Sequence, residues 1–177
     1  MNFKDKLVKL DACDPAIEWV GDRTAGQAWN ECRRAGWMLW YLDKTNNITQ
    51  EQSVKIAVHI ARSVLGLFEN KHPDDTRPRQ AIEAAEAWLK NPCKETANEA
   101  ANAAAYEAEN ADYDAYAAAY AAANAAANAA NYDANEAANE AANAANYAAN
   151  AANYAAYAAE NADFIRTIIK YEDLKHD

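Results

Sequence analysis

The chain has 177 residues, a net charge of −10 and an apolar fraction of 51%, enough for one domain or a small domain with an extension. Charge divides it sharply: residues 1–95 carry 14 basic and 14 acidic side chains, whereas residues 96–177 carry 3 and 13, with no Lys or Arg between Ala97 and Ile165. An acidic tract of that kind repels a phosphate backbone, which argues against direct nucleic-acid binding, and no charge-free apolar run of about 18 residues is present to cross a membrane.

The opening, MNFKDKLVKLDACD, lacks the uninterrupted apolar core of a signal peptide. Asp14-Pro15 reads as an N-cap and first-turn Pro for a short helix that ends at Gly21. Thr24 to Gln27 is a capping box, opening a helix that should end near Gly36. Trp37 to Leu42 is a dense apolar run, suited to a buried helical turn or two. Thr49 to Gln52 is a second capping box. The helix after it places Val54, Ala57, Val58, Ala61, Val64, Leu65 and Phe68 on one face. His72 to Asp75 is a loop, and Pro78 opens a helix with Ile82, Ala85, Trp88 and Leu89 on one side, stopped by Asn91-Pro92. No strand alternation occurs, so the fold class expected is all-α: a Trp-rich head over residues 1–95 built from four or five short helices.

At Thr96 the composition switches. Thr96 to Glu99 is a third capping box, and neither Gly nor Pro follows it. Ala has the highest helix propensity, so residues 96–177 are expected to form long Ala-rich helices, two or three folded back or one single rod. Asn recurs at 124, 128, 131, 135, 139, 143, 146, 150 and 153, close to the helical period. Tyr106, Tyr113 and Tyr120 precede this stripe, and Tyr157 and Asn161 extend it. Asn128, Asn139, Asn150 and Asn161 are in register with an eleven-residue repeat. The preferred reading is a solvated face that keeps an Ala helix soluble. The alternative is a recognition surface in which Tyr106, Tyr113, Tyr120, Asn124, Asn128, Asn135, Asn139, Asn146, Asn150 and Tyr157 contact a ligand or partner through amides and aromatic faces. A third is a low-complexity expansion without a role. An ice-binding helix would carry Thr where this one carries Asn and Tyr. Phe164, Ile165, Ile168 and Ile169, with Arg166 and Lys170 among them, form an anchor expected to pack back on the head.

Other candidate sites have ordinary explanations. Trp19, Trp29, Trp37, Trp40 and Trp88 fit a core better than a ligand pocket. Asp22-Arg23 and Arg33-Arg34 fit surface charge at helix ends better than an anion site. Glu83 and Glu86 fit a solvated face, and Cys32 a buried structural thiol. The odd number of Cys, none of them in a CxxC pair, fits reduced thiols and a cytoplasmic location. The three His are scattered without zinc spacing. No phosphate-binding, dinucleotide or hydrolase motif is present, so neither a cofactor nor an enzymatic activity is expected.

Residues Asp11 to Tyr41, DACDPAIEWVGDRTAGQAWNECRRAGWMLWY, resemble the opening of the alanine-rich "putative immunity protein" family of bacteria and their phages. The likeness continues through Arg77 to Trp88, then an Ala/Tyr-rich tract, and closes on Ala162 to Arg166. The Asn content of the tract and its lack of basic residues depart from the family pattern. The resemblance implies a non-enzymatic binding protein, acting in immunity or phage anti-defence by stoichiometric binding of a toxin, a defence protein or a small signal molecule. The alternatives are an acidic nucleic-acid mimic that blocks a DNA-binding protein, and a helical scaffold that forms homo-oligomers through its Ala-rich faces.

Overall fold

A computed structural model describes residues 1–93 and 155–174. Among the described residues there are seven α-helices, one 3₁₀ turn and no strand. The helices are α1 (Phe3–Lys9), α2 (Asp14–Val20), α3 (Ala25–Glu31), α4 (Ala35–Lys44), α5 (Gln50–Lys71), α6 (Arg77–Lys90) and α7 (Ala155–Ile168). The 3₁₀ turn, η1, is Tyr171–Asp173. The expected all-α class is the observed one. The tract positions Tyr106, Tyr113, Tyr120, Asn124, Asn128, Asn135, Asn139, Asn146 and Asn150, and the capping box at Thr96, lie outside the described residues.

Helix starts follow local chemistry. The Thr24 hydroxyl accepts the Gln27 N–H at 3.2 Å while the Gln27 carbonyl oxygen accepts the Thr24 N–H at 2.9 Å. Thr49 and Gln52 repeat the exchange at 3.3 and 2.9 Å. Each box satisfies two donors that a helix start otherwise leaves open. α1 was not expected from the sequence, although its signal is there: Asn2 Oδ1 accepts the Asp5 N–H at 2.7 Å. In α2 the cap is Cys13, one residue ahead of the expected Asp14, with Pro15 in the first turn. α1 and α4 end alike. The Ala12 N–H reaches the Leu7 carbonyl at 3.0 Å and the Asn47 N–H reaches the Leu42 carbonyl at 2.9 Å. The residues between, Asp11 and Asn46, have φ of 59° and 50°, a conformation that short polar side chains tolerate.

One boundary differs in kind from its expectation. α3 does not run to Gly36. It stops at Glu31, Cys32 turns extended at φ −62° and ψ 124°, and α4 starts at Ala35 with Gly36 buried inside it. The physical reason is tertiary. Arg166 of α7 donates from Nε to the Trp29 carbonyl at 3.2 Å and from Nη2 to the Cys32 carbonyl. Carbonyls that a continuing helix would have used are thereby satisfied from outside it.

The core sits between the two longest described head helices and the returning α7. α5 packs on α6, and α7 packs on both α4 and α5. Val54, Ala57, Val58, Ala61 and Leu65 of α5 are buried as the 3/4 spacing predicts, but Ile56 and Ile60 are buried as well. Helices on two sides widen the buried face beyond a single stripe. Fully burying one such aliphatic side chain contributes about 1.5–3 kcal/mol. From α6 come Ala81, Ile82, Ala85 and Trp88, from α7 Ile165, and from just past its end Ile169, so the carboxy-terminal anchor does pack back on the head. Arg62 of α5 and Glu86 of α6 form a bidentate pair across that interface, both bonds 2.9 Å. Glu86 therefore belongs to an interhelical contact, not to the solvated face expected of it; Glu83 is exposed.

Candidate functional site: an aromatic and cationic groove

The helices α2, α3 and α4 are short and do not cover one another's indoles completely. Trp29 and Trp88 are core residues, but Trp19, Trp37 and Trp40 are only partly buried. Trp19, Trp29, Trp37 and Trp40 line one apolar cavity of about 50 Å³ together with Phe3, Met38 and Tyr41. Four of the five Trp border this small cavity while belonging to the core or packing against it, as the sequence favoured. A polar pocket of about 260 Å³ shares Trp19, Cys32 and Trp37 with it and adds Arg23, Glu31, Arg33 and Arg34. Cavity and pocket adjoin through those three residues and are taken together as a groove, apolar on one side and cationic on the other, its rim.

Backbone geometry sets the rim. Gly21 ends α2 at φ 51° and ψ −120°, a conformation that side chains disfavour. The chain turns back there, so Arg23 lies over the Trp19 ring, its Cζ 4.7 Å from the centroid. Arg23 is further fixed by donating to the Trp19 carbonyl and, at 2.8 Å, to Glu31. On the opposite wall Arg34 stacks over Trp37 at 4.5 Å. The two indoles meet at 6.0 Å with planes 54° apart. Stacks of this kind are worth about 0.5–1 kcal/mol where exposed, but their geometric effect matters more. A guanidinium placed over a ring spends no N–H donor on it. The Arg23 donors are in use. The guanidinium groups of Arg33, which is exposed, and of Arg34 form no hydrogen bond or ion pair with a described residue. The pocket walls carry three Arg against one Glu in a chain whose net charge is −10.

Two further features bear on chemistry. The Trp29 indole nitrogen, Nε1, is buried without a hydrogen-bond partner. The Cys32 thiol exchanges contacts of 3.5 Å with the backbone N–H and carbonyl of Arg34. Burial pushes this thiol above its ordinary value, against the lowering effects of the Arg34 backbone and of the charges on Arg166 and Arg34. A thiol raised in this way is a poor nucleophile, as expected of a structural Cys.

A second polar cluster lies under α7. His59 stacks flat on Phe164 with ring centroids 3.7 Å apart and planes 4° apart. His59 Nε2 is buried without a partner, and so is Oδ1 of Asn161, a residue only 2% exposed. Asn161 continues the register of Asn128, Asn139 and Asn150, so at this position the repeat faces the core and not solvent. Tyr157 falls in α7, and nothing else of the predicted Asn/Tyr site lies among the described residues. The sequence pointed to Arg33-Arg34 only as surface charge preferred over an anion site, and the paired Arg–Trp contacts were not expected from it. Each Arg is three or four residues from its Trp, but both stand outside the helices, Arg23 past Gly21 and Arg34 ahead of Ala35, so the contacts come from the turns and not from helical spacing.

No helix among the described residues is long and apolar enough to cross a membrane, and no cluster among them has three or more metal-ligating side chains. A family model described as "Imm-5 like putative immunity protein" matches residues 43–168. No curated protein and no solved structure matches the chain. The blocks Arg77 to Trp88 and Ala162 to Arg166 lie inside the match, whereas Asp11 to Tyr41 lies ahead of it. The groove is built from those earlier residues, and Arg166 ties it to the matched part.

Proposed function

The chain belongs to the Imm-5 like immunity protein family, and from that premise we propose that it neutralises a toxin by holding it stoichiometrically, without chemical change to either protein. The observation that carries this reading is the groove. Its rim offers two guanidiniums that pair with no described residue, Arg33 and Arg34, the second already placed over the Trp37 ring before any partner arrives. Aromatic and Arg side chains are the types that dominate binding energy at protein interfaces. Pre-stacked groups also lose less freedom on binding. The one nucleophile-class side chain in the groove, Cys32, has its thiol pushed up by burial, which supports binding over catalysis.

Stoichiometry is the test. Increasing amounts of the chain are added to a fixed amount of toxin, and residual toxin activity is read. Residual activity that falls linearly to an end point near equimolar, with an intact-mass complex of the two proteins, is the expected result. Full protection at about a tenth of an equivalent, or a mass change in the toxin, overturns the proposal in favour of an enzyme.

A further inference from the structure

We propose that the groove is a docking site for an acidic peptide segment of the partner protein, with an aliphatic side chain seated in the cavity and carboxylates on Arg33 and Arg34. This rests on the reading of the chain as a toxin-binding protein and names the chemistry by which the partner is recognised.

Three observations select that occupant. The first is charge. The pocket walls carry Arg23, Arg33 and Arg34 against Glu31 alone, and Glu31 is already committed to Arg23 at 2.8 Å. The surplus is cationic, in a head whose net charge over residues 1–95 is zero, so its complement is an anion. The second is the set of available faces. Arg23 occupies a face of Trp19 and Arg34 a face of Trp37, while the rings also meet each other. A flat base would have to displace one of these stacks. A carboxylate only needs the guanidinium edge, where two parallel N–H donors match its two oxygens. The third is size. The apolar cavity is about 50 Å³. A single water needs ~10–15 Å³, so the cavity accommodates a few heavy atoms, the size of a Val or Leu side chain, and an indole is too large. Trp29, in the cavity wall, adds a buried unpartnered indole nitrogen.

The experiment uses the full chain and its own Trp emission, because Trp19, Trp37 and Trp40 line the site. The probe is an acetylated, amidated pentapeptide with Leu at its centre and Asp or Glu at the other positions. Comparators carry Lys for the acids, or Ala for the Leu. The expected result is a saturable emission change with the acidic Leu peptide, weakened about tenfold or more by Arg33→Ala with Arg34→Ala. The Ala peptide should bind more weakly and the Lys peptide not at all. Arg33→Glu with Arg34→Glu, both at exposed positions, should reverse the preference towards the Lys peptide, and circular dichroism checks that these variants stay folded. A response equal for acidic and basic peptides, or one indifferent to both Arg, overturns the inference. So does saturation by ADP where the peptide has no effect, which would make the site one for a small anionic molecule. The two levels separate cleanly. A toxin held at one equivalent by wild type and by the Arg33/Arg34 variants alike removes this docking site and leaves stoichiometric immunity standing. A toxin never held at one equivalent removes the function proposed above.

Discussion

Arg166 donates to the carbonyl of Cys32, 134 positions earlier in the chain, and the same guanidinium also reaches the Trp29 carbonyl at 3.2 Å and Asp163 at 3.1 Å. One side chain of the returning helix thus closes the end of α3 and fixes the bend from which Arg33 and Arg34 project.

That position makes Arg166 a stability residue with a functional consequence. Its side chain is 18% exposed, so water can only partly replace what it donates. Arg166→Met should destabilise the fold by about 2–3 kcal/mol, the range for charge-assisted bonds whose acceptors are left unpaired. Arg166→Lys should recover part of this, since an ammonium reaches one carbonyl but not two in fork geometry. Urea unfolding followed by circular dichroism reads both. A loss below about 0.5 kcal/mol for Arg166→Met would mean that α3 closes without help.

His59 predicts a pH dependence. Burial lowers its pKa from the ordinary 6.5, opposed by the charge of Glu160. The unfolded chain therefore binds the proton first as pH falls, and stability rises with pH across that interval. Folding therefore favours the neutral imidazole over the charged one, so the urea midpoint should drop as pH is lowered from about 7.5 through the ordinary His range. His59→Phe keeps a ring on Phe164 and removes the titration, and its midpoint should be flatter over the same interval. Parallel curves for the two proteins would locate the proton elsewhere.

The Arg62–Glu86 pair acts at lower pH. The Arg62 hydrogen bonds hold the Glu86 carboxyl below the usual carboxylate value of 4.5, outweighing the effect of burial. Its contribution is complete above that value and is lost as pH falls through the depressed one. Both side chains are about a third exposed, at 34% and 31%, so solvent screens the pair. A double-mutant cycle with Arg62→Ala and Glu86→Ala at pH 7 should give a coupling of about 0.5–1 kcal/mol. The coupling should shrink towards zero in acid. A coupling that persists there would identify packing between α5 and α6 as its source.

What could be read in the sequence was mostly local. Capping boxes at Thr24 and Thr49, the Pro at the start of α6 and its Asn91-Pro92 stop depend on neighbours within one turn, and each is where its pattern placed it. The buried half of α5 was legible through its 3.6-residue period. Illegible features share a different cause: they depend on residues far apart in the chain. Nothing around Cys32 announces a helix end, because the group that makes it one is Arg166. Five Trp imply apolar bulk but not which of them a later helix covers. α5 and α6 enclose Trp88, while the short α2, α3 and α4 leave Trp19 and Trp37 to their Arg partners.

Asn161 provides the test of the tract's register from its described end. A carboxamide this deeply buried, with Oδ1 unpartnered, costs the fold the desolvation of that oxygen, about 1–3 kcal/mol. Leu has the same branched heavy-atom skeleton and no polar atom, and its neighbours here include the buried Ala162 and Ile165. Asn161→Leu should therefore leave the urea midpoint unchanged or raise it by an amount equivalent to about 1 kcal/mol. Asn161→Asp puts an unpaired charge in the same place and should cost about 3 kcal/mol or more at pH 7. If Asn161→Leu instead destabilises by more than about 1 kcal/mol, the amide makes a bond that matters, through Nδ2 or a bound water. The Asn at this register would then be a specific core contact, and not a residue tolerated at the end of a polar stripe.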